Sequence, residues 1–259
     1  MEELTQLHWI ALLGGALIMG LSKGGIPGAG NLTVAIYALT LEDAFGPAGV
    51  ALSVGLLLPV LISADLVSTL VYRKHVEWSH VRRLLPFFAV GVIVGWYLFA
   101  FFQGESRAQI LKVSIGGILL GMTMIRFISE LRFFKSKLEG RALPSYLGPP
   151  LGLLGGVATM IANAAGPIAQ FYLLAMKLPK YAFIGTSAWL FLLINVSKFP
   201  LMWELGIIDV STLGIAFWLF IPAALGALLA PLVVRHIHQD WFERLLWFFI
   251  VLAGLRMLF

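Results

Sequence analysis

The stretch LSKGGIPGAGN, residues 21 to 31, sets a lysine among glycines and a proline in a region that is otherwise apolar. Backbone that leaves helical geometry at membrane depth is tolerated only where protein or water satisfies its polar groups. Gly24, Gly25, Gly28 and Gly30 let two chain tips approach closely there, because no side chain stands in the way. A helix that starts just after such a break, at about Gly30 and Asn31, presents unpaired N–H groups and the positive end of its dipole. That is anion-binding chemistry, and Lys23 adds a full positive charge beside it. A second break, GGVATMIANAAGP from Gly155 to Pro167, offers the amide of Asn163 and a further helix start at Gly166 behind Pro167. Taken one at a time, the glycines also fit close helix packing of the small-xxx-small kind. The lysine and the second break together favour a binding site.

Two further ionisable groups fall inside apolar runs. Lys198, in LLINVSKFPLMWE, shares its helix with Asn195 and Pro200; it either snorkels to the interface or joins Asn195 in a polar patch lining a cavity. Asp65, in PVLISADLVSTLVYRK, lies seven residues before Tyr72, about 10 Å from the end of its helix. It is either a proton carrier or a structural partner for a backbone donor or a cation. Enzyme signatures are missing: the sequence contains no HExxH, no GxSxG, no Walker lysine and no paired intramembrane carboxylates. His236 and His238, in RHIHQD, have a spacing that suits a metal but are more simply solvated loop side chains. A non-enzymatic protein with no resident cofactor or metal is expected.

The elements that must position these groups are membrane helices. Of the 259 residues 60% are hydrophobic and 12% charged, with a mean hydropathy of +0.94, far from the balance of a soluble domain. The apolar runs are continuous rather than alternating, which excludes a transmembrane barrel. Cysteine is absent, so disulfide and thiol chemistry are excluded. The first residues carry two acids and no base before Lys23, unlike the cationic start of a signal peptide, so the first segment is expected to be retained. The high isoelectric point of about 9.6 reflects basic residues at helix ends rather than a nucleic-acid partner.

Runs at 46–72, 84–102, 108–128, 181–203, 212–234 and 241–259 are long enough to cross a bilayer, whereas 7–22, 29–41, 145–160 and 164–176 are short. The order is a short pair followed by three long helices, twice over. This predicts an all-α integral membrane protein of two repeats: a first transmembrane repeat at 1–128, a cytoplasmic linker at 129–144 and a second repeat at 145–259. Interrupted segments at corresponding places in two halves point to the binding site of a secondary transporter. If each short pair were one broken crossing helix, the halves would be parallel. If each pair enters and returns to the same face, the halves are inverted, and Arg107, Lys112 and Arg256 alone among the loop cations face away from the rest. The positive-inside rule prefers the inverted arrangement. Both termini are then periplasmic, and Asp65 and Lys198 are expected near opposite faces, unable to pair.

LSKGGIPGAGN, GLLGGVATMIANAAGP and INVSKFP, in this order and spacing, resemble the TauE/SafE family of sulfite and organosulfonate exporters, also called TSUP permeases. The resemblance covers nearly the whole chain. It implies a secondary transporter of small sulfur-containing anions, such as sulfite, sulfoacetate or related sulfonates, in a bacterial inner membrane. It further implies that Lys23, Gly24, Gly25, Gly28, Gly30, Asn163, Gly166, Asn195 and Lys198 belong to the substrate site. On this view Lys23 and the helix starts bind anion oxygens, Asn163 and Asn195 donate from their amides, and Lys198 supplies a second charge. Coupling to H+ through Asp65, to Na+, or to neither stays open, as do the direction of transport and the oligomeric state. The alternatives are uptake of another small anion, a membrane hydrolase and a non-transporting assembly factor.

Overall fold

The computed structural model describes residues 4–26, 29–102, 107–130, 147–176 and 178–233, with 248, 251 and 255 as isolated helical positions. The candidate Gly28, the histidine pair in RHIHQD and most of the linker at 129–144 lie outside the described residues. So does nearly all of the last apolar run.

Among the described residues the chain is all α-helix: α1 (Gln6–Lys23), α2 (Ala29–Phe45), α3 (Pro47–Tyr72), α4 (Trp78–Phe102), α5 (Ala108–Glu130), α6 (Gly148–Ala162), α7 (Gly166–Ala175), α8 (Lys180–Glu204) and α9 (Val210–Val233). The 3-10 turn Arg73–His75 continues α3. Helices Pro47–His75, Trp78–Phe102, Lys180–Glu204 and Val210–Leu232 are long and apolar enough to cross a membrane. Their outward faces are apolar as well, with Val90, Ile93 and Tyr97 on α4 and Phe217, Phe220 and Leu228 on α9 all exposed. Such faces are stable against hydrocarbon, and helices satisfy their own backbone there. The protein is an all-α, multi-pass membrane protein.

Both short pairs are antiparallel hairpins. In the first, Gly30 of α2 donates its N–H to Ser22 Oγ of α1 (2.9 Å), Thr33 Oγ1 donates to the Gly15 carbonyl (3.0 Å) and the Tyr37 hydroxyl to the Leu12 carbonyl (3.1 Å). Residue numbers thus rise along one helix as they fall along the other. In the second, Gly148 lies against the Tyr172 ring and Ala158 packs with Ile168. Neither pair is a single helix broken in mid-crossing.

The hairpins are held by the longer helices through contacts that leave no room for a Cβ. Gly20 and Gly24 of α1 meet the backbone of Ala223 and Ala227 on α9, and Gly226 of α9 meets that of Leu17. On the other side Gly91 of α4 meets the Leu153 backbone of α6, while Gly156 of α6 meets that of Phe88. In both interfaces the helices run parallel: Gly20 meets Ala223 and Gly24 meets Ala227, and Gly152, Gly155 and Met160 lie against Phe87, Phe88 and Gly95 in turn. Close backbone approach of this kind substitutes for the hydrophobic drive that lipid removes. The first helix of each hairpin therefore packs on a long helix from the other half of the chain.

At the centre α3 and α8 run antiparallel: Gly55 lies on Ile207, Asp65 on Asn195, and the Tyr72 carbonyl on Gly185. The turn that follows α8 caps the start of α9, where Asp209 Oδ1 accepts from Ser211 Oγ, Thr212 Oγ1 and the Thr212 N–H, each at 2.7 Å. Those bonds hold this exposed carboxyl down at about 2, as expected of an N-cap.

Candidate functional site

Each hairpin tip is built by a left-handed helix ending. At the first, Gly25 takes a φ of 132°, and the N–H groups of Gly24 and Ile26 return to the carbonyls of Gly20 and Leu21 at 2.9 and 3.1 Å. Only glycine enters that region without strain. At the second tip Asn163 has φ 51° and donates its N–H to the Thr159 carbonyl at 3.0 Å. Asparagine tolerates the left-handed conformation, so the poverty of glycine in ANAAG does not prevent an equivalent turn.

Between the tips lies a cavity of about 70 Å³. That is several times the ~10–15 Å³ needed to hold one water, room for a small ion with part of its hydration. Gly30 and Asn31, at the start of α2, and Gly166 and Pro167, at the start of α7, line it. Two helix N-termini thus face one space, each turning the positive end of its dipole toward it; the Gly30 N–H itself is bonded to Ser22 Oγ. A Cβ on Gly166 would meet nothing within 4 Å. The Asn31 amide is buried with its Nδ2 unpartnered, as is the Ser187 Oγ, which also lines the cavity.

Lys23 ends α1 at this cavity, with 14% of its side chain exposed. Its ammonium pairs with Asp65 Oδ1 at 2.9 Å and lies 4.2 Å above the centre of the Phe191 ring. Asp65 is fully buried and accepts a second bond, at 2.7 Å, from Asn195 Nδ2. Asn195 Oδ1 in turn faces Lys198 Nζ at 3.4 Å. Lys198 also reaches the Thr159 carbonyl at 2.8 Å, Thr159 Oγ1 at 3.2 Å and Asn163 Oδ1 at 2.5 Å.

This network alters three expectations. Asp65 and Lys198, expected near opposite faces, share one cluster through Asn195. The reason is stagger: Ile207, beyond the end of α8, packs on Gly55, the ninth residue of α3, so the helix ends are not level and residues 195 and 198 slide to the depth of Asp65. Lys198 does not snorkel. It is fully buried, does not line the cavity, and spends its three N–H groups on protein acceptors, so it braces the amides of Asn163 and Asn195 instead of facing the space where an anion fits. Gly24 is a packing glycine, with Ala230 Cβ and the Ala227 carbonyl against it, and its own carbonyl accepts from the buried Tyr72 hydroxyl at 3.0 Å. The structure therefore gathers Lys23, Gly25, Gly30, Asn31, Asn163, Gly166 and Asn195 around the cavity, with Asp65 and Lys198 behind it.

Thr159, Gln170, Ser187 and Phe191 also line the cavity and were not singled out from the sequence. A signal existed: Ser187, Phe191, Asn195 and Lys198 recur at helical spacing along one face of α8, and Thr159 precedes Asn163 by one turn. Beyond the cavity a wider hollow of about 320 Å³, bounded by Gly24, Tyr72, Lys180 and Tyr181, shares Gly25 and Ile184 with it.

Among the described residues no group of three His, Cys, Asp or Glu side chains is placed to hold a metal. No curated protein and no solved structure matches the chain. A membrane bundle with two hairpin tips, a lysine and two helix starts around a small cavity accords with the family model that spans residues 12–257, that of the sulfite exporter TauE/SafE, and the chain belongs to this family.

Proposed function

We propose that the protein is a secondary transporter that exports small sulfur-containing anions, sulfite or a compact sulfonate, across the bacterial inner membrane by alternating access. The family is one of membrane transporters of the sulfite-exporter type. What carries the finer reading is the convergence of Lys23 with the starts of α2 and α7 on one cavity. An oxyanion there accepts from backbone N–H groups, from the free Asn31 amide and from the Lys23 ammonium, with each oxygen able to find a donor. The cavity's size favours a small anion over a bulky organosulfonate.

The two halves act as inverted repeats on this reading, 1–128 and 145–259, joined by the segment 129–144. Antiparallel α3 and α8, with parallel α1–α9 and α4–α6 interfaces, support that relation. Rocking of one half against the other then opens the fixed site to each side in turn. With the basic loops placed inside, both termini are periplasmic. Single cysteines at Ser129 and Ser211, in a chain that has none of its own, are expected to react with an impermeant maleimide from opposite sides of intact cells. Reaction from one side would restore parallel halves.

The direct test of function is uptake of radiolabelled sulfite into proteoliposomes, with sulfoacetate, taurine, sulfate and chloride as competitors. Saturable flux blocked by one sulfur anion is the expected result. Flux no greater than in empty liposomes, from inserted protein, would remove the reading.

A further inference from the structure

The Lys23 ammonium has two claims on it, and they cannot both be met in full. It is the charged group at the cavity wall, where the anion would sit, yet it is already bonded to Asp65. Asp65 has no exposure to water, and among the described residues its hydrogen-bond partner beyond Lys23 is the neutral amide of Asn195.

We propose that Asp65 stands in for the substrate on Lys23 when the transporter is empty, and that an arriving anion displaces it, so that Asp65 takes up one proton for each anion bound. This rests on the anion-transport reading above and adds to it the charge that moves. A buried carboxylate deprived of its cation is strongly destabilised, and it neutralises by protonation when it can. The proton comes from water in the cavity and bonds to Oδ1 as Lys23 leaves. It departs again when the anion dissociates and Lys23 returns. The Asn195 amide serves either form, since Oδ2 accepts in both.

Among the described residues no other cation is placed to take over from Lys23. On α8 the charged neighbour is Lys198, whose N–H groups are committed to Thr159, Asn163 and Asn195. On α9 the residues from Val210 to Val233 include no titratable group. On α2 and α5 Glu42 is paired with Lys112 at 2.9 Å, and Asp43 with His8 of α1 at 3.0 Å. Arg73 and His75 belong to the turn that follows α3. A monoanion therefore crosses together with one proton and carries no net charge.

Sulfite binding to purified wild type and to Asp65→Asn, measured with the radiolabelled anion between pH 6 and 8.5, tests this. Sulfite's own titration is common to both proteins and cancels in the ratio of their affinities. Asp65→Asn keeps the bond to Asn195 but removes the competitor. It is expected to bind sulfite about tenfold more tightly at pH 8, with the advantage shrinking as pH falls and wild-type Asp65 protonates more readily. Equal affinities throughout, or weaker binding by the variant, would overturn the proposal while leaving the transport reading intact. Binding by neither protein would overturn that reading and the proposal with it. Should the variant fail to fold, wild type alone decides: at a constant pH 6, where sulfite is chiefly the monoanion, flux into liposomes is expected not to respond to an imposed membrane potential, and a flux that scales with the potential would rule out the accompanying proton.

Discussion

Replacing Lys23 by methionine is expected to reduce sulfite flux by about two to three orders of magnitude, because removing one member of a buried, hydrogen-bonded charge pair costs roughly 2–5 kcal/mol. Two effects must be separated. The substitution withdraws the charge at the cavity wall, and it also leaves Asp65 buried against Asn195 alone, which destabilises the fold unless the carboxyl protonates. The double variant Lys23→Met, Asp65→Asn divides them, since it contains neither ion. Its thermal stability is expected to return most of the way to wild type, whereas its flux stays lost. Recovery of flux in the double variant would mean that Lys23 serves only to neutralise Asp65, and the anion site would have to be sought elsewhere. The comparison forms a double-mutant cycle, the appropriate measure for groups in direct contact.

Lys198→Met is expected to fail differently. The ammonium joins α8 to the second hairpin by bonds to the Thr159 carbonyl and Asn163 Oδ1 and closes on Asn195 Oδ1. Methionine fills similar space but leaves those acceptors unmatched, at a cost of about 1–3 kcal/mol for each group left buried and unpaired. Relief of the lysine's own desolvation offsets part of this. The net expectation is a loss of about 3 kcal/mol, read as a fall in Tm on the order of 10 °C. Asn163 is the left-handed residue of the tip and donates to the Val54 carbonyl at 2.8 Å, so its loosening disturbs the start of α7 as well. Residual transport should therefore show a lower kcat with little change in KM for sulfite. A KM raised severalfold at unchanged stability would instead make Lys198 a direct ligand of the anion.

The contrast between the two lysines shows how a sequence motif divides once it is folded. Both stand in apolar runs, and both read as cations for an anion. One ends a helix at a cavity, and the other is enclosed by four acceptors. Nothing in INVSKFP tells them apart, because three of the four acceptors around Lys198 come from Thr159 and Asn163, more than thirty residues away. The glycines divide in the same manner: Gly24 is pressed against α9, Gly25 turns the chain, and Gly166 faces open space. The close-packing reading holds at Gly24, whereas Gly30 and Gly166 line the cavity.

Much was nevertheless settled by the chain order of residues alone. Continuous apolar runs of membrane-crossing length dictate helices, since a backbone in lipid must satisfy itself. The short runs on either side of KGGIPGAG and IANAAGP mark the two hairpins, because glycine and asparagine reach the left-handed turn that ends a helix. Lys23, beside the first turn and ahead of a helix start, is legible as anion chemistry for local reasons that need no tertiary contact. The face of α8 bearing Ser187, Phe191, Asn195 and Lys198 is legible from helical period. What tertiary structure decided is which of these groups meet and which are already taken. The stagger between α3 and α8 is set by how Ile207 seats on Gly55, a packing relation between distant segments that no local pattern encodes. That stagger brings Asp65 to Asn195, while the packing of α1 on α3 brings it to Lys23, and together they turn a solitary buried carboxylate into the partner that holds the transporter's lysine.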